Sequence, residues 1–408
     1  MPEDKIGADA PRYVAVFALL YVPFGIAIGY INVTLGYLLA HAGISTAAIG
    51  GVVAVGVSMQ IWKFLWAPLI DMFFSYRRWF LFSTLMLAAA ILCGGLIKIS
   101  PTIIPVIVAL VFVLGLFASL GAISADGLIA HSTSVAHKGR AGGWAQAGNL
   151  GGAGLGGGAG LWLATHGSPW MAGATLGLIC AVCAFSALLL FEPVHSHRQP
   201  HYLQTLIVLG REVWALTRAR LGAMAIFVPV IPLGTGASQS LFSSVAGDWR
   251  APAGLVALVT GALSGSISIP FSLIGGYIGD LWDRKSAYIL GGGLMAICAV
   301  AMALAAKTPQ NFVIFALLYA ATMGIVWGAY GGVVYEAAGV GAAATKCNIL
   351  SSLCNIPIAT MVAVDGWAQT KWGSVGMLFA EPGIGAIAIA IFIAIRIATA
   401  PRVTNAFA

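Results

Sequence analysis

The segment IWKFLWAPLIDMFFSYRRWF, residues 61–80, is apolar and aromatic, yet it contains Lys63 and Asp71 and continues into Arg77 and Arg78. About 20 consecutive apolar residues cross the hydrocarbon core of a bilayer as a helix. A charged side chain inside such a run costs free energy and commonly marks a functional site. The segment therefore predicts a membrane-spanning helix that ends at a basic membrane face.

The whole chain has the composition of a membrane protein. Of its 408 residues, 60% are hydrophobic and only 8% are charged, and the mean hydropathy is +0.96. A soluble domain is about one quarter charged. The apolar runs lack the period of two that barrel strands require. We predict an all-α membrane protein with twelve transmembrane helices. The predicted helices cover residues 13–40, 46–70, 78–98, 102–128, 140–165, 169–191, 220–245, 253–279, 286–306, 310–336, 343–364 and 373–397.

The positions of the basic residues predict the orientation. Fifteen of the twenty Lys and Arg residues fall on one side of the implied topology, four fall on the other, and Lys63 lies within a run. Because cytoplasmic loops carry the excess of Lys and Arg, we expect both termini to be cytoplasmic in a bacterial inner plasma membrane. This distribution accounts for the net charge of +7 without a nucleic-acid partner. The polar start of the chain is not typical of a signal peptide.

The chain divides into two similar halves. The longest polar interruption, 192–219, is predicted to be a cytoplasmic loop between six-helix bundles at 13–191 and 220–398, with cytoplasmic tails at 1–12 and 399–408. Three features recur after nearly equal intervals, namely Asp71 and Asp280, Asp126 and Glu336, and Pro193 and Pro401. Parallel six-helix repeats of this kind build the major facilitator transporters.

Two groups of motifs resemble known families. The sequence GGYIGDLWDRK, residues 275–285, resembles the G-x-x-x-D-x-x-G-R-R/K loop of the major facilitator superfamily, with Asp283 where the second glycine usually stands. Its acid is expected to meet a helix N-terminus or a neighbouring Arg. GISTAAIG, residues 43–50, and KFLWAPLID, residues 63–71, resemble the AmpG-type permeases of the peptide–acetyl-CoA–drug branch. The Asp-Gly-Leu form at 126–128 also resembles siderophore permeases of the RhtX/FptX kind.

This resemblance implies an inner-membrane secondary transporter rather than an enzyme. It implies proton-coupled import, by alternating access, of a bulky polar solute such as a muropeptide-type glycopeptide, with a siderophore as the alternative. A membrane-embedded transferase is the rival class, but no Ser/His/Asp or metal-binding constellation supports it. We expect a monomer in the lipid bilayer, with a small-molecule substrate and protons as partners, and with neither a cofactor nor a metal. The glycine-rich stretch 148–160 lacks the Gly-Lys-Ser/Thr of a phosphate-binding loop and is predicted to serve close helix packing.

The candidate functional residues fall into three groups. Lys63 either faces the central cavity, where it pairs with Asp126 or an anionic solute, or extends to the headgroups with its stem packed. Asp126 and Glu336 are the proton-coupling candidates, because each is a carboxylate at the end of a long apolar run and desolvation raises the pKa of such a group. The predicted gating residues are Asp71, Arg77, Arg78, Asp280, Asp283, Arg284 and Lys285. The predicted substrate-cavity residues are Tyr21, Tyr30, Asn32, Lys63, Trp144, Gln146, Asn149, Gln239, Asn348, Ser351 and Asn355, although bonds between helices would also explain such polar groups.

Overall fold

The computed structural model describes residues 14–190, 192, 207, 211, 232–338 and 343–398. The predicted tails 1–12 and 399–408, most of the predicted loop 192–219, and Pro193 and Pro401 lie outside the described residues. Within the described residues all regular structure is helical. In chain order the helices are α1 (Val16–His41), α2 (Thr46–Met72), α3 (Tyr76–Leu96), α4 (Ile104–Ser132), α5 (138–166), α6 (Pro169–Ala184), α7 (Ala237–Val245), α8 (253–281), α9 (Arg284–Leu304), α10 (Pro309–Ala338), α11 (Ala343–Leu353, continued by 355–372) and α12 (374–398).

The helices confirm the prediction of an all-α membrane fold with twelve spans. Nine segments of the described chain are long and apolar enough to cross a membrane. One of them, Ala343–Ile391, contains α11 and α12, which meet at Gly373 with φ 69° and ψ −166°. The other two of the twelve helices are the glycine-rich α5 and α7, of which Ala237–Val245 is described.

One predicted boundary is wrong. The sequence predicts that the interval 365–372 separates the last two helices, but the interval is helical, and the connection shrinks to Gly373. Its positive φ is accessible to glycine at little steric cost, so the chain reverses at one residue without a loop. Asp365 consequently lies inside α11.

Polar side chains set the starts of several helices. The Ser75 hydroxyl accepts a hydrogen bond from the N–H of Arg78 (3.3 Å) at the start of α3. The Asp283 carboxylate accepts one from the N–H of Ser286 (3.0 Å) at the start of α9. Such N-caps satisfy helix N–H groups that have no partner within the helix. Asp283, which replaces the glycine of the familiar loop motif, therefore has a local structural use.

Two hydrophobic clusters show where the halves meet. We call the membrane face with the α2–α3, α4–α5 and α8–α9 connections the basic face, and the other the opposite face. One cluster draws buried residues from both halves, including Ile70 and Leu128 of the first and Val333 and Ala344 of the second. The other consists of residues of α1–α4 and α6 and of Ile44 in the α1–α2 connection, all in the first half, and extends toward the opposite face. The two halves thus share a core near the basic face.

Glycines bring α1 and α5 into close contact, which confirms the packing role predicted for 148–160. A Cβ on Gly152 would lie 2.3 Å from the carbonyl oxygen of Val22, and one on Gly148 would lie 2.1 Å from that of Ala18. These are backbone atoms, which cannot rotate away as a flexible side chain would. In membranes, small residues at helix contacts allow this close approach.

We expect Gly152→Ala to destabilise the protein and Gly154→Ala to leave it unchanged or more stable. The added methyl at 152 meets backbone, and overpacking of this kind costs about 1–3 kcal/mol. A Cβ on Gly154, two residues along the same helix, has nothing within 4 Å, and alanine favours a helix over glycine by about 1 kcal/mol. Thermal unfolding of the two purified variants in detergent measures the difference. Equal melting temperatures would contradict the packing role.

Candidate functional site

Two carboxylates join the halves at the basic face in a pseudo-symmetric way. Asp280, at the end of α8, accepts hydrogen bonds from the backbone N–H groups of Gly139 (2.7 Å) and Arg140 (2.9 Å) at the start of α5. Asp71, at the end of α2, accepts bonds from the N–H (2.9 Å) and the hydroxyl of Thr345 at the start of α11. Each acid therefore binds the positive end of a helix from the other half.

Arginines reinforce the contact around Asp280. Arg284 donates to Asp280 at 3.0 Å and also donates to the carbonyl of Val135 in the other half. Its second terminal nitrogen lies 3.3 Å from the carboxylate of Glu336. Arg140 lies 3.6 Å from Asp280. We call Asp71, Asp280, Arg140, Arg284 and Thr345 the basic-face gate, because they link the two halves where the conformation is closed.

The other predicted gating residues form no hydrogen bond or ion pair between the halves with any residue that the structure describes. Arg77 donates to the carbonyl of Leu190 at 2.5 Å, within the first half. Arg78 is exposed and Lys285 is half-buried. Asp283 is exposed and caps α9, as described above. Sequence position alone could not separate these residues from Asp71 and Asp280.

A cavity of about 240 Å³ lies between the halves. It is lined from α1, α2, α4 and α5 on one side and from α10 and α11 on the other. Six of the eleven predicted cavity residues line it, namely Tyr21, Lys63, Gln146, Asn149, Ser351 and Asn355. Phe24, Trp327 and Tyr330 add aromatic surface, and Gln60 adds an amide. Polar groups on an otherwise apolar wall are the usual composition of a solute site.

Lys63 contributes a buried cation to this cavity. Its residue is only 8% exposed, and its ammonium has no hydrogen bond or ion pair with any described residue. The Oε1 atom of Gln60, one turn earlier on α2, is buried and also lacks a partner. Lys63 and Gln60 thus offer the cavity a cationic donor and an acceptor that have no hydrogen-bond partner among the described residues. The expected direct pair between Lys63 and Asp126 is not formed at bonding distance in this conformation, although the two charges attract each other.

Asp126 occupies the centre of a hydrogen-bond network that crosses the halves. Its carboxylate accepts bonds from the hydroxyl of Tyr21, from the hydroxyl of Tyr335 (3.0 Å) and from the amide of Asn348 (3.0 Å). The residue is 2% exposed. Lys138 adds a further crossing by donating to the carbonyl of Tyr335 at 2.6 Å. A change in the charge of Asp126 would therefore act on contacts that hold the halves together.

The remaining candidates lie outside the cavity lining. Glu336 is exposed at the basic face beside Arg284. Tyr30 is buried next to Gly94, with its hydroxyl unpartnered. Asn32 is exposed, Trp144 packs against the shared core, and Gln239 is half-buried on α7.

A second polar network, in the C-terminal half, is one that the sequence prediction misses. Its members are Thr235, Ser238, Tyr319, Asp365 and Glu381. The signal is present, because each acid is a single carboxylate in an apolar run, as in VAVDGW and LFAEPG. The predicted boundaries place Asp365 in a loop, and the predicted cavity draws no residue from α12.

Polar side chains also meet at the opposite face, between α7 and α8. Asp248 accepts hydrogen bonds from the hydroxyl of Ser374 and from the ammonium of Lys307 (3.4 Å). The bond from Ser374 is the main cause that holds the pKa of the Asp248 carboxyl below its usual range; burial opposes it, and the charge of Lys307 adds to the lowering. Lys307 also lies 5.4 Å from the centre of the Trp249 ring. These contacts join the opposite-face ends of α7, α9 and α12.

The arrangement of two linked six-helix halves around a central cavity agrees with a comparison against protein families. The model of the Major Facilitator Superfamily matches residues 17–362. The chain belongs to this superfamily. Its members are membrane transporters, built from two parallel six-helix repeats with sites at the repeat interface. The superfamily expected from the 275–285 loop is thus confirmed.

Solved structures of the superfamily share the fold at low sequence identity. The proton:xylose symporter XylE bound to 6-bromo-6-deoxy-D-glucose is 16% identical, with a TM-score of 0.63 over 94% of this chain and 95% of that one. A point variant of the E. coli fucose:proton symporter FucP is also 16% identical, with a TM-score of 0.65 over 94% and 98%. FucP in the outward conformation is 15% identical, with a TM-score of 0.67 over 95% and 98%. A comparison with curated protein sequences gives no match.

Proposed function

We propose that this superfamily member is a proton-coupled importer of a polar solute that carries an anionic group. The observation that supports this most directly is the unpartnered Lys63 ammonium in a cavity lined by both halves. An ammonium in apolar surroundings costs about 2.5–3.5 kcal/mol on insertion scales. A carboxylate or phosphate of the solute would offset that cost. Gln60 and Asn149 would bind hydroxyl or amide groups of the same solute.

The resemblance of residues 43–71 to the AmpG-type permeases favours a muropeptide-type glycopeptide as the solute. The alternative is a siderophore, which the resemblance of the Asp-Gly-Leu sequence at 126–128 to the RhtX/FptX permeases favours. Both kinds of molecule carry oxygen acceptors for Lys63, and the aromatic rings of Trp327 and Tyr330 offer faces on which a sugar or catechol ring can stack. Ligand pockets for drug-sized molecules are about 300–1,000 Å³. The cavity of about 240 Å³ would therefore widen to admit either solute.

The contacts that link the halves at the basic face support alternating access as the mechanism. Import requires the solute to enter from the opposite face and leave after the basic-face gate opens. Asp126 is the proposed proton acceptor, since neutralising it would weaken the bonds from Tyr335 and Asn348, which cross the halves, as well as the bond from Tyr21 within the first half. With the basic face in the cytoplasm of a bacterial inner membrane, protons and solute would enter together. We propose that the protein works as a monomer.

Uptake into proteoliposomes tests this function. The purified protein is reconstituted, and entry of a radiolabelled muropeptide and of a radiolabelled ferric siderophore is measured with an inward proton gradient. We expect one of the two to accumulate unchanged, and the accumulation to collapse with a protonophore. Protein-free liposomes are the control. A gradient-independent signal would contradict proton coupling, and chemical conversion of the solute would contradict transport as the activity.

A further inference from the structure

Two buried carboxyl groups face each other in the C-terminal half, away from the cavity of Lys63 and Asp126. Asp365 on α11 is 0% exposed and Glu381 on α12 is 5% exposed. The two lie at equal distances along the chain from the turn at Gly373. At 1.5 Å per helical residue, both lie about 12 Å below the opposite face. A charge at this depth in a membrane protein needs a partner or a proton.

The two carboxyl groups have very unequal hydrogen-bond environments. Glu381 accepts bonds from the hydroxyls of Thr235 (2.6 Å) and Tyr319 (2.5 Å), and its Oε2 lies 2.9 Å from the hydroxyl of Ser238. Among the described residues, Asp365 has a single hydrogen-bond partner, the same Ser238 hydroxyl, at 2.9 Å from its Oδ2. Its Oδ1 is buried and has no partner within that part of the chain. The surroundings therefore stabilise an ionised Glu381 and offer little to an ionised Asp365.

The contacts of the Ser238 hydroxyl require a proton on one of the two carboxyl groups. A hydroxyl carries one hydrogen and two lone pairs, so Ser238 can donate to one carboxylate only. Its oxygen lies at bonding distance from both acids. The second contact becomes a hydrogen bond only if that carboxyl group is itself protonated and donates to the serine. Because, within the described part of the chain, Glu381 has two other donors and Asp365 has none, a proton on Asp365 satisfies more of these contacts than one on Glu381.

The neighbouring side chains also favour one protonated carboxyl group in the pair. Tyr319 donates to Glu381, and Tyr288 of α9, which lies near Glu381, donates instead to the carbonyl of Leu233 at 2.6 Å. Among the described residues, no Lys, Arg or His forms an ion pair with either acid. Two carboxylates separated by one oxygen atom, in a buried site without a cation, cannot both remain ionised.

We propose that Asp365, Ser238 and Glu381 form a proton-binding site. Asp365 holds the proton and donates to Ser238, and Ser238 donates to the ionised Glu381, which Thr235 and Tyr319 also bind. Proton transfer along this chain moves the hydrogen of Asp365 to Ser238 and that of Ser238 to Glu381, with no change in total charge. If the protein is the proton-coupled importer proposed above, this proton is a coupling proton of the C-terminal half, separate from Asp126. The site itself does not depend on that function.

Infrared spectroscopy of the purified full-length protein in detergent tests the site without any transport assay. The probe is the carbonyl-stretching band of a protonated carboxyl group at neutral pH, recognised by its shift in D₂O. In difference spectra, Asp365→Asn is expected to remove one such band. Asp248→Asn, a matched change at the exposed carboxylate beside Lys307, is expected to remove none. Each variant is accepted only if its thermal unfolding remains cooperative.

Ser238→Ala keeps the test decisive if Asp365→Asn does not fold. Without the serine oxygen, the carboxyl group of Asp365 loses its acceptor, so its band is expected to persist and to move to higher wavenumber. Three outcomes would overturn the proposal. In the first, neither Asp365→Asn nor Ser238→Ala changes any protonated-carboxyl band of the wild-type spectrum. In the second, Glu381→Gln removes the band and Asp365→Asn removes none, and in the third, Asp248→Asn removes the same band as Asp365→Asn.

Discussion

Lys63→Leu is expected to abolish solute uptake while leaving the amount of protein in the membrane unchanged or higher. The substitution keeps the volume of the stem and removes the ammonium, which is the only cation among the described residues that line the cavity. A hydrogen bond to a charged group contributes about 1.5–3 kcal/mol. At about 1.4 kcal/mol per factor of ten, the solute would bind roughly 10–100-fold more weakly. The membrane helix itself should gain stability, because an unpaired charge is removed.

Two variants serve as controls for this loss. Lys63→Arg keeps the charge but replaces a compact ammonium with a planar guanidinium, so we expect partial uptake. Lys371→Leu makes the same change at an exposed lysine near the α11–α12 turn, and we expect uptake equal to that of the wild type. The measurement is initial uptake divided by the amount of membrane protein. Normal uptake by Lys63→Leu would mean that the lysine only extends its amine toward the headgroups.

The position of Lys63 shows how far the sequence predicts the site. An isolated charge in an apolar run is visible in any window of the sequence, and it draws attention to Lys63 and Asp126, both of which are buried. The same reasoning also selects Glu336, which is exposed. The difference depends on which side of the helix each residue occupies. That side follows from the packing of α4 and α10 against other helices, and a single sequence does not contain it.

The repeat between the halves is more informative than any single residue. Asp71 and Asp280 are separated by nearly the same interval as Asp126 and Glu336. In the structure, both Asp71 and Asp280 make the same contact with the start of a helix in the other half. Helix starts have free N–H groups by necessity, so an acid at the end of one span is a natural partner for them. The repeat could not show which residue at the start of the partner helix completes each contact. The amides of Gly139 and Arg140 and the amide of Thr345 occupy equivalent places without similar sequences.

The network of Asp365 and Glu381 escapes the sequence prediction for a different reason. When the end of an apolar run is read as the end of a helix, Asp365 falls in a loop. A single glycine is enough to reverse the chain when its φ is positive, and the helix continues to that residue. Hydropathy averages over a window and does not detect so short a turn.

Asp280→Asn is expected to reduce uptake at least tenfold and to shift the protein away from the conformation closed at the basic face. The carboxylate accepts four contacts, from two backbone N–H groups and two arginines, and its side chain is 2% exposed. An asparagine keeps the shape but loses the charge, and its NH₂ group would face one of these donors. Breaking one partner of a buried pair costs about 3–5 kcal/mol. Since the closed conformation is one of the two that transport requires, that cost appears as lost turnover.

Asp71→Asn is expected to act in the same direction with a smaller effect, because Asp71 has no arginine partner at bonding distance among the described residues. Cys347 reports the change directly. It is a free cysteine, 0% exposed, two residues after Thr345 on α11. Labelling of Cys347 by a water-soluble maleimide, located by mass spectrometry, should be slow in the wild type and faster in each variant. It should be fastest in the double variant.

Asp283→Asn provides the matched comparison. It makes the same chemical change three residues from Asp280, at an exposed acid that caps α9 and whose hydrogen bonds to described residues stay within its own half. We expect near wild-type uptake and slow labelling of Cys347. Full transport with slow labelling in the double variant of Asp71 and Asp280 would show that these acids contribute only to topology. Equal losses of uptake in all three single variants would show that negative charge near this face, rather than the contact across the halves, supports transport. The contrast between Asp280 and Asp283 therefore isolates the contact across the halves from the charge itself.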